Sequence, residues 1–276
     1  MWGQALGLAS IGGLTVPDQV HISNGSFESL MPRSTPKPKL QRVVAELAKF
    51  HGAQAAPPAK NAFELILWEK VAYLADDETR SRAFAALTRR VGTSPAVVAS
   101  AKLSTLRQIA AIGGAVGVEE RATRMQEAAQ LVIGDFDGDL DSVLSKSLAA
   151  GRKALRRFYG IGEPGADRIL LFTRSHAVLP LDSNGARVLL RVGYGTDNKN
   201  YSTMYRSVVD AAQPELPPAF DSLIAAHLLL RRHGQTICKT NAPHCEACVI
   251  RPDCAFGATG LRSRGTTLPN RRGSSQ

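Results

Sequence analysis

All four cysteines of this chain fall between Cys238 and Cys254, in the spacing Cys-x6-Cys-x2-Cys-x5-Cys, and the 237 residues before them contain none. A secreted disulfide framework would spread its cysteines along the chain. The opening segment 1–16 also lacks the Lys or Arg with which a secretory signal begins. Metal binding is therefore the expected use. Thiolates suit soft or borderline metals, and four of them close a tetrahedral shell. A structural zinc ribbon pairs two short Cys-x2-Cys knuckles across a longer loop. Here a single knuckle, Cys245 to Cys248, sits among ligands crowded into 17 residues, which fits a loop wrapped round a cubane better.

The rest of the sequence reads as helix. Apolar residues recur at spacings of three and four in segments 39–51, 61–76, 79–91, 95–100, 103–112, 118–132, 139–145, 147–158, 163–173, 182–193, 202–212 and 217–233. Gly- and Pro-bearing breaks separate them, such as Gly92-Thr93-Ser94-Pro95 and the stretch from Gly134 to Asp139. No run alternates with period two, so the expected fold is all-α with about ten to twelve short helices. Residues 1–36 and 257–276 lack periodicity and are expected to be a disordered leader and a disordered basic tail. No apolar run reaches the roughly 18 residues of a membrane span, which leaves a cytoplasmic protein as the expectation, nucleoid-associated if the source is bacterial.

Charge narrows the partner. Thirty-four Lys and Arg against 24 Asp and Glu give a formal net charge of +10, which suits a polyanion whose condensed counterions are released on binding. One segment offers a phosphate seat. Helix 147–158 runs into Tyr159-Gly160-Ile161-Gly162, and a new helix begins near Glu163-Pro164. Two glycines around one apolar residue allow a sharp turn with N–H groups facing outward, and the next helix adds its own unpaired donors. Such a nest holds phosphate without reading sequence. Pro164 is tolerated in a first helical turn.

The cysteine spacing, this Gly-x-Gly turn and the segment Leu179-Pro180-Leu181-Asp182-Ser183-Asn184-Gly185-Ala186-Arg187 together resemble the endonuclease III-type helix-hairpin-helix DNA glycosylases. The resemblance covers roughly residues 37–256. It implies a [4Fe–4S] cluster on Cys238, Cys245, Cys248 and Cys254, and a hairpin at Tyr159, Gly160, Ile161 and Gly162 clamping DNA, with Lys239 reaching the backbone from the cluster loop. It further implies a two-lobed fold: a six-helix barrel over 55–178, and a cluster lobe made of 37–54 and 179–256. The expected partner is duplex DNA with a damaged or mismatched base, bound by a monomer.

Asp182 falls on the position of the family's catalytic aspartate, although its type and place also predict an ordinary helix N-cap. A fixed anion there would stabilise the positive charge that builds on the sugar as an N-glycosidic bond breaks. Glu69 lies in a helix apolar nearly all round and matches the catalytic glutamate of the mismatch-adenine relatives; the structural alternative is an ion pair with Lys70 or a distant arginine. Bifunctional relatives carry a Schiff-base lysine two residues after the second hairpin glycine. Pro164 stands there, so a monofunctional glycosylase is expected. Two other readings stay open: a damage sensor without chemistry, and an abasic-site lyase using another amine such as Lys70 or Lys153. The family's DNA-wedging glutamine is replaced by Leu74, and the loop from Ile112 to Val118 could fill the gap left by a flipped base.

Overall fold

The structure, a computed structural model, describes residues 39–258. The expected leader 1–36 and most of the expected tail lie outside the described residues. Every regular element among them is helical: α1 (Leu40–His51), α2 (Ala62–Lys70), α3 (Asp77–Arg90), α4 (Pro95–Ser100), α5 (Leu103–Ile112), α6 (Val118–Phe136), α7 (Leu140–Leu144), α8 (Leu148–Leu155), α9 (Glu163–Phe172), α10 (Ser183–Val192), α11 (Tyr201–Ala212), α12 (Phe220–Thr236) and α13 (Ala255–Ala258). Short polar side chains start several of them. Asn61, Asp76, Asp139, Ser147, Asp182 and Asn200 each accept a hydrogen bond from the backbone N–H three residues on, satisfying a donor the helix cannot.

Several boundaries differ from the sequence reading: the helix expected over 147–158 ends at Leu155, and that expected over 217–233 runs from Phe220 to Thr236. The helix expected over 61–76 ends at Lys70, because Leu74 takes a left-handed φ of 51° and Asp76 already caps α3. The break expected at Gly134 is absent. The chain stays helical to Phe136 and turns at Asp137 and Gly138, both with positive φ. The first two residues assigned to the tail, Gly257 and Ala258, belong to α13.

Two apolar cores organise the chain. One gathers residues between Ala62 and Val178, with α2 at its centre; Ile66 and Leu67 are fully buried. The other joins Leu40, Val43 and Leu47 of α1 to α10, α11 and α12, and takes in Leu171 from α9. Polar ties cross between them. Asp167 of α9 is fully buried; it accepts two bonds from Arg152 of α8 and one, at 2.9 Å, from the Tyr205 hydroxyl of α11. A buried carboxylate left without such donors would be costly. Within the second core α10 and α12 meet backbone to backbone at Gly234, where a Cβ would stand 2.7 Å from Asn184.

Candidate active site

The hairpin has the geometry its glycines imply. Gly160 takes φ 73°, Gly162 caps α9, and Pro164 lies in the first helical turn. Both glycines are exposed, and their N–H groups face no acceptor among the described residues. Ile161 pins the turn to the first core. Tyr159 projects outward, with Arg124 3.7 Å from its ring centre. Beneath the turn Lys70 donates to the Tyr159 carbonyl. Lys70 is buried, and burial lowers its pKa, an effect that Glu69 partly offsets. The amine entertained as a partner for Glu69, or as a lyase nucleophile, is thus engaged by the hairpin backbone.

Glu69 pairs instead with a distant arginine. Its carboxylate lies 2.8 Å from the Arg168 guanidinium of α9. The two line a cavity of about 160 Å³ shared with Trp68, Arg80, Phe172, His227 and Arg231. Arg80 donates at 2.8 Å to the carbonyl of Trp68. His227 is 2% exposed, its Nδ1 3.0 Å from the Pro180 carbonyl. Burial, reinforced by the positive charge of Arg168, pushes its pKa down to about 4, so it is neutral near pH 7.

Asp182, at the start of α10, is linked to this cavity through Arg231. It accepts from the Gly185 N–H at 2.8 Å and from the Asn184 amide at 3.1 Å, and Arg231 Nε lies 3.4 Å away. Arg231 also holds Asp77 of α3 with two bonds of 2.6 Å. That contact keeps the Asp77 carboxyl below the usual carboxylate range. Behind Asp182, the side-chain Oδ1 of Asn184 accepts from Arg187, and Arg187 also donates to the backbone carbonyls of Gly234 and Cys238. A hydrogen-bonded chain so joins the carboxylate to the first cysteine.

The four cysteines converge. All line one pocket, together with Val188, Val192 and Phe256. Among the described residues no three His, Cys, Asp or Glu side chains are grouped as a single ion would require. Burial pushes the Cys248 thiol up to about 11 and raises that of Cys254, so a thiolate set here needs a cationic centre. Donors are at hand: Arg191 approaches Cys238 Sγ at 3.3 Å, and the Gly257 N–H approaches Cys254 Sγ at 3.4 Å. His233 lies 3.4 Å from Cys248 Sγ and 3.1 Å from His51. Lys239 is exposed, and its carbonyl accepts from Arg191.

Arg168, His227, Arg231 and Arg187 were not singled out from the sequence. A charged residue inside an otherwise apolar helix, as in Ala166-Asp167-Arg168-Ile169-Leu170-Leu171, is the signal that could have found the first. At the opposite edge, Arg121 donates to the carbonyls of Val71, Gly114 and Val116, binding the loop after α2 to the loop before α6. Tyr73, Leu74 and Val116 stand exposed on this paired crest. Among the described residues no helix is long and apolar enough to cross a membrane.

No sequence profile of a known family matches the chain. An endonuclease III of Sulfolobus acidocaldarius is 27% identical over 216 residues, covering 78% of this chain and 91% of the relative. Among solved structures, a trapped endonuclease III–DNA covalent intermediate aligns with TM-score 0.64 at 19% identity, over 81% of this chain and 99% of the other. A thermostable thymine-DNA glycosylase aligns with TM-score 0.63 at 17% identity, over 80% and 97%. The helical order, the two cores and this likeness over most of the chain agree: the chain is similar to the endonuclease III-type helix-hairpin-helix DNA glycosylases and shares their fold.

Proposed function

We propose that the protein is a monofunctional DNA glycosylase, which hydrolyses the N-glycosidic bond of a damaged or mismatched base flipped out of duplex DNA. The observation that carries this reading is Asp182, an anion held by two hydrogen bonds and an ion pair to Arg231, whose side chain also lines the cavity that holds Glu69. As the C1′–N bond breaks, the sugar becomes cationic and Asp182 stabilises it. Water adds to C1′ and the bonding electron pair leaves with the base. Glu69, as the anionic half of its pair with Arg168, orients that water and accepts its proton rather than protonating the base.

Pro164 offers no amine at the lyase position and Lys70 is engaged under the hairpin, which supports hydrolysis over strand cleavage. The hairpin N–H groups suit phosphate, and the crest of Tyr73, Leu74 and Val116 suits the gap left by an extruded nucleotide. Cys238, Cys245, Cys248 and Cys254 would hold a [4Fe–4S] cluster, which would supply a rigid anchor for the loop that carries Lys239. The test is a panel of duplexes with one lesion each, analysed directly and after hot alkali. Breaks only after alkali support the reading. Direct breaks overturn the monofunctional part, and no product with tight binding favours a damage sensor instead.

A further inference from the structure

A groove of about 650 Å³ opens between α8 and α11, on the flank of the helix that leads into the hairpin. Its α8 wall is cationic: Arg152, Lys153, Arg156 and Arg157 crowd into six residues with no acid among them. Lys153 and Arg156 are three apart, and Arg152 and Arg156 four apart, so like charges share one helix face and repel. Two of the four are neutralised. Arg152 binds the buried Asp167, and Arg157 pairs with Asp135 of α6. Lys153 and Arg156 are exposed, and neither side chain has an ion pair or hydrogen bond among the described residues. Cations in a last turn also suit the partial negative charge at a helix end, which accounts for their position along α8 but not for the groove they line.

The α11 wall adds one more cation. Arg206 holds Glu163 through Nε and Nη2 at 3.1 and 3.0 Å, which neutralises the acid in the first turn of α9. Asp210, one helical turn beyond Arg206, is exposed and is the one carboxylate of the lining without an ion pair among the described residues. The free charge of the groove is thus Lys153 and Arg156 against Asp210. Both free cations belong to the stretch of chain that ends in the hairpin. Arg156 is four residues from Gly160, at most about 14 Å of chain. Over that length a duplex carries roughly eight phosphates. A duplex seated on the hairpin therefore has backbone charge within reach of Arg156 and Lys153.

We propose that, on the DNA-binding reading above, this groove is a second seat for the DNA backbone, in which Lys153 and Arg156 hold phosphates beyond those at the hairpin. Contacts of this kind position a duplex without reading its bases, and each phosphate neutralised releases condensed counterions. The groove lengthens the footprint to one side of the lesion and tightens the grip on damaged and undamaged duplex alike.

The test is an anisotropy titration of full-length, cluster-loaded protein at several salt concentrations. The duplexes carry either a tetrahydrofuran abasic-site analogue or no lesion. The double variant Lys153→Gln, Arg156→Gln should make the slope of log K against log[salt] shallower by about 1.8, and should weaken both duplexes by the same factor. Trimming the duplex on one side of the lesion should abolish the difference between variant and wild type, and trimming the other side should not. Asp210→Asn removes the opposing charge of the groove and should tighten binding. An unchanged slope overturns the groove assignment and leaves the glycosylase reading intact. So does a loss that no trimming abolishes, which marks an effect of overall charge. If the double variant fails to fold, equal affinity of Asp210→Asn and wild type overturns the assignment by itself. Wild-type protein that binds neither duplex overturns both.

Discussion

Arg231 reaches Asp182 with the one guanidinium nitrogen that Asp77 leaves unused: its two terminal nitrogens bind Asp77 at 2.6 Å, and its Nε lies 3.4 Å from the Asp182 carboxylate. One side chain of α12 thus holds both the N-terminal turn of α3 and the start of α10. Arg231→Met should destabilise the protein near neutral pH, by about 1–3 kcal/mol, since two half-exposed or buried carboxylates lose their partner. The Asp77 carboxyl titrates below its ordinary value because of Arg231. A lowered folded-state pKa adds stability above the unfolded value and loses it as pH falls through the folded one. The gap in melting temperature between wild type and variant should therefore narrow on acidification below the ordinary carboxylate range. Melting curves from pH 7 downward check this, and a pH-independent gap would count against the assignment.

Asp182 both caps α10 and pairs with Arg231 of the cavity wall, and one substitution separates the cap from any role in excision. Asn is as good a cap as Asp, so Asp182→Asn should leave the melting temperature nearly unchanged. It should reduce excision by roughly 10²-fold or more while DNA affinity persists. Asp182→Ala should lose about 1 kcal/mol of stability as well. Paired thermal melts and single-turnover rates distinguish the two.

Wild-type protein should give no borohydride-trapped adduct with abasic DNA. Pro164→Lys should gain one, because the residue lies in the first turn of α9 behind the exposed hairpin and a lysine there restores an amine to the position. A trapped adduct with wild type would mean that another amine, Lys70 or Lys153, reaches the sugar.

Leu74 is 81% exposed and sits at φ 51°, a conformation costing an L-residue roughly 1–2 kcal/mol. Leu74→Gly should raise stability by up to about 1 kcal/mol, after allowance for glycine's greater unfolded-state freedom. If the crest serves to fill the vacated stack, the same change should slow excision. Lower stability would count against the backbone strain, and unaltered excision would remove the wedge role.

Arg187 joins Asn184 to the carbonyls of Gly234 and Cys238. Arg187→Leu should lower iron and sulfide retained per chain and slow excision even in fully loaded protein. Iron content and rates normalised to loaded protein measure the two separately.

Features of the fold written in short stretches of chain were legible in advance. Helix starts follow from single Asn, Asp and Ser residues, the hairpin from two glycines, and the convergence of the cysteines from their spacing. The end of α2 was misread because Tyr73 and Leu74 continue an apolar period while facing solvent. At the site, Asp182 and Glu69 could be picked out, but their partners could not. Arg231 is 154 residues from Asp77, and Arg168 belongs to a helix whose other residues read as core. Periodicity reports which face of a helix is apolar, not which distant charge it meets. His227 was passed over because a lone histidine on an apolar face gives no hint of the cavity it will line.

The contact at Gly234 has a bearing on inheritance of change. With a Cβ there 2.7 Å from Asn184, α10 and α12 share a pivot lying between the histidine that faces the cavity and the helix that begins at Asp182. Any side chain at this one position would force the two helices apart, displacing the start of α10 at Asp182 and the face of α12 that carries His227 together. Substitutions that retune the pocket can therefore accumulate around the pivot, whereas the pivot itself has no neighbouring sequence to drift into.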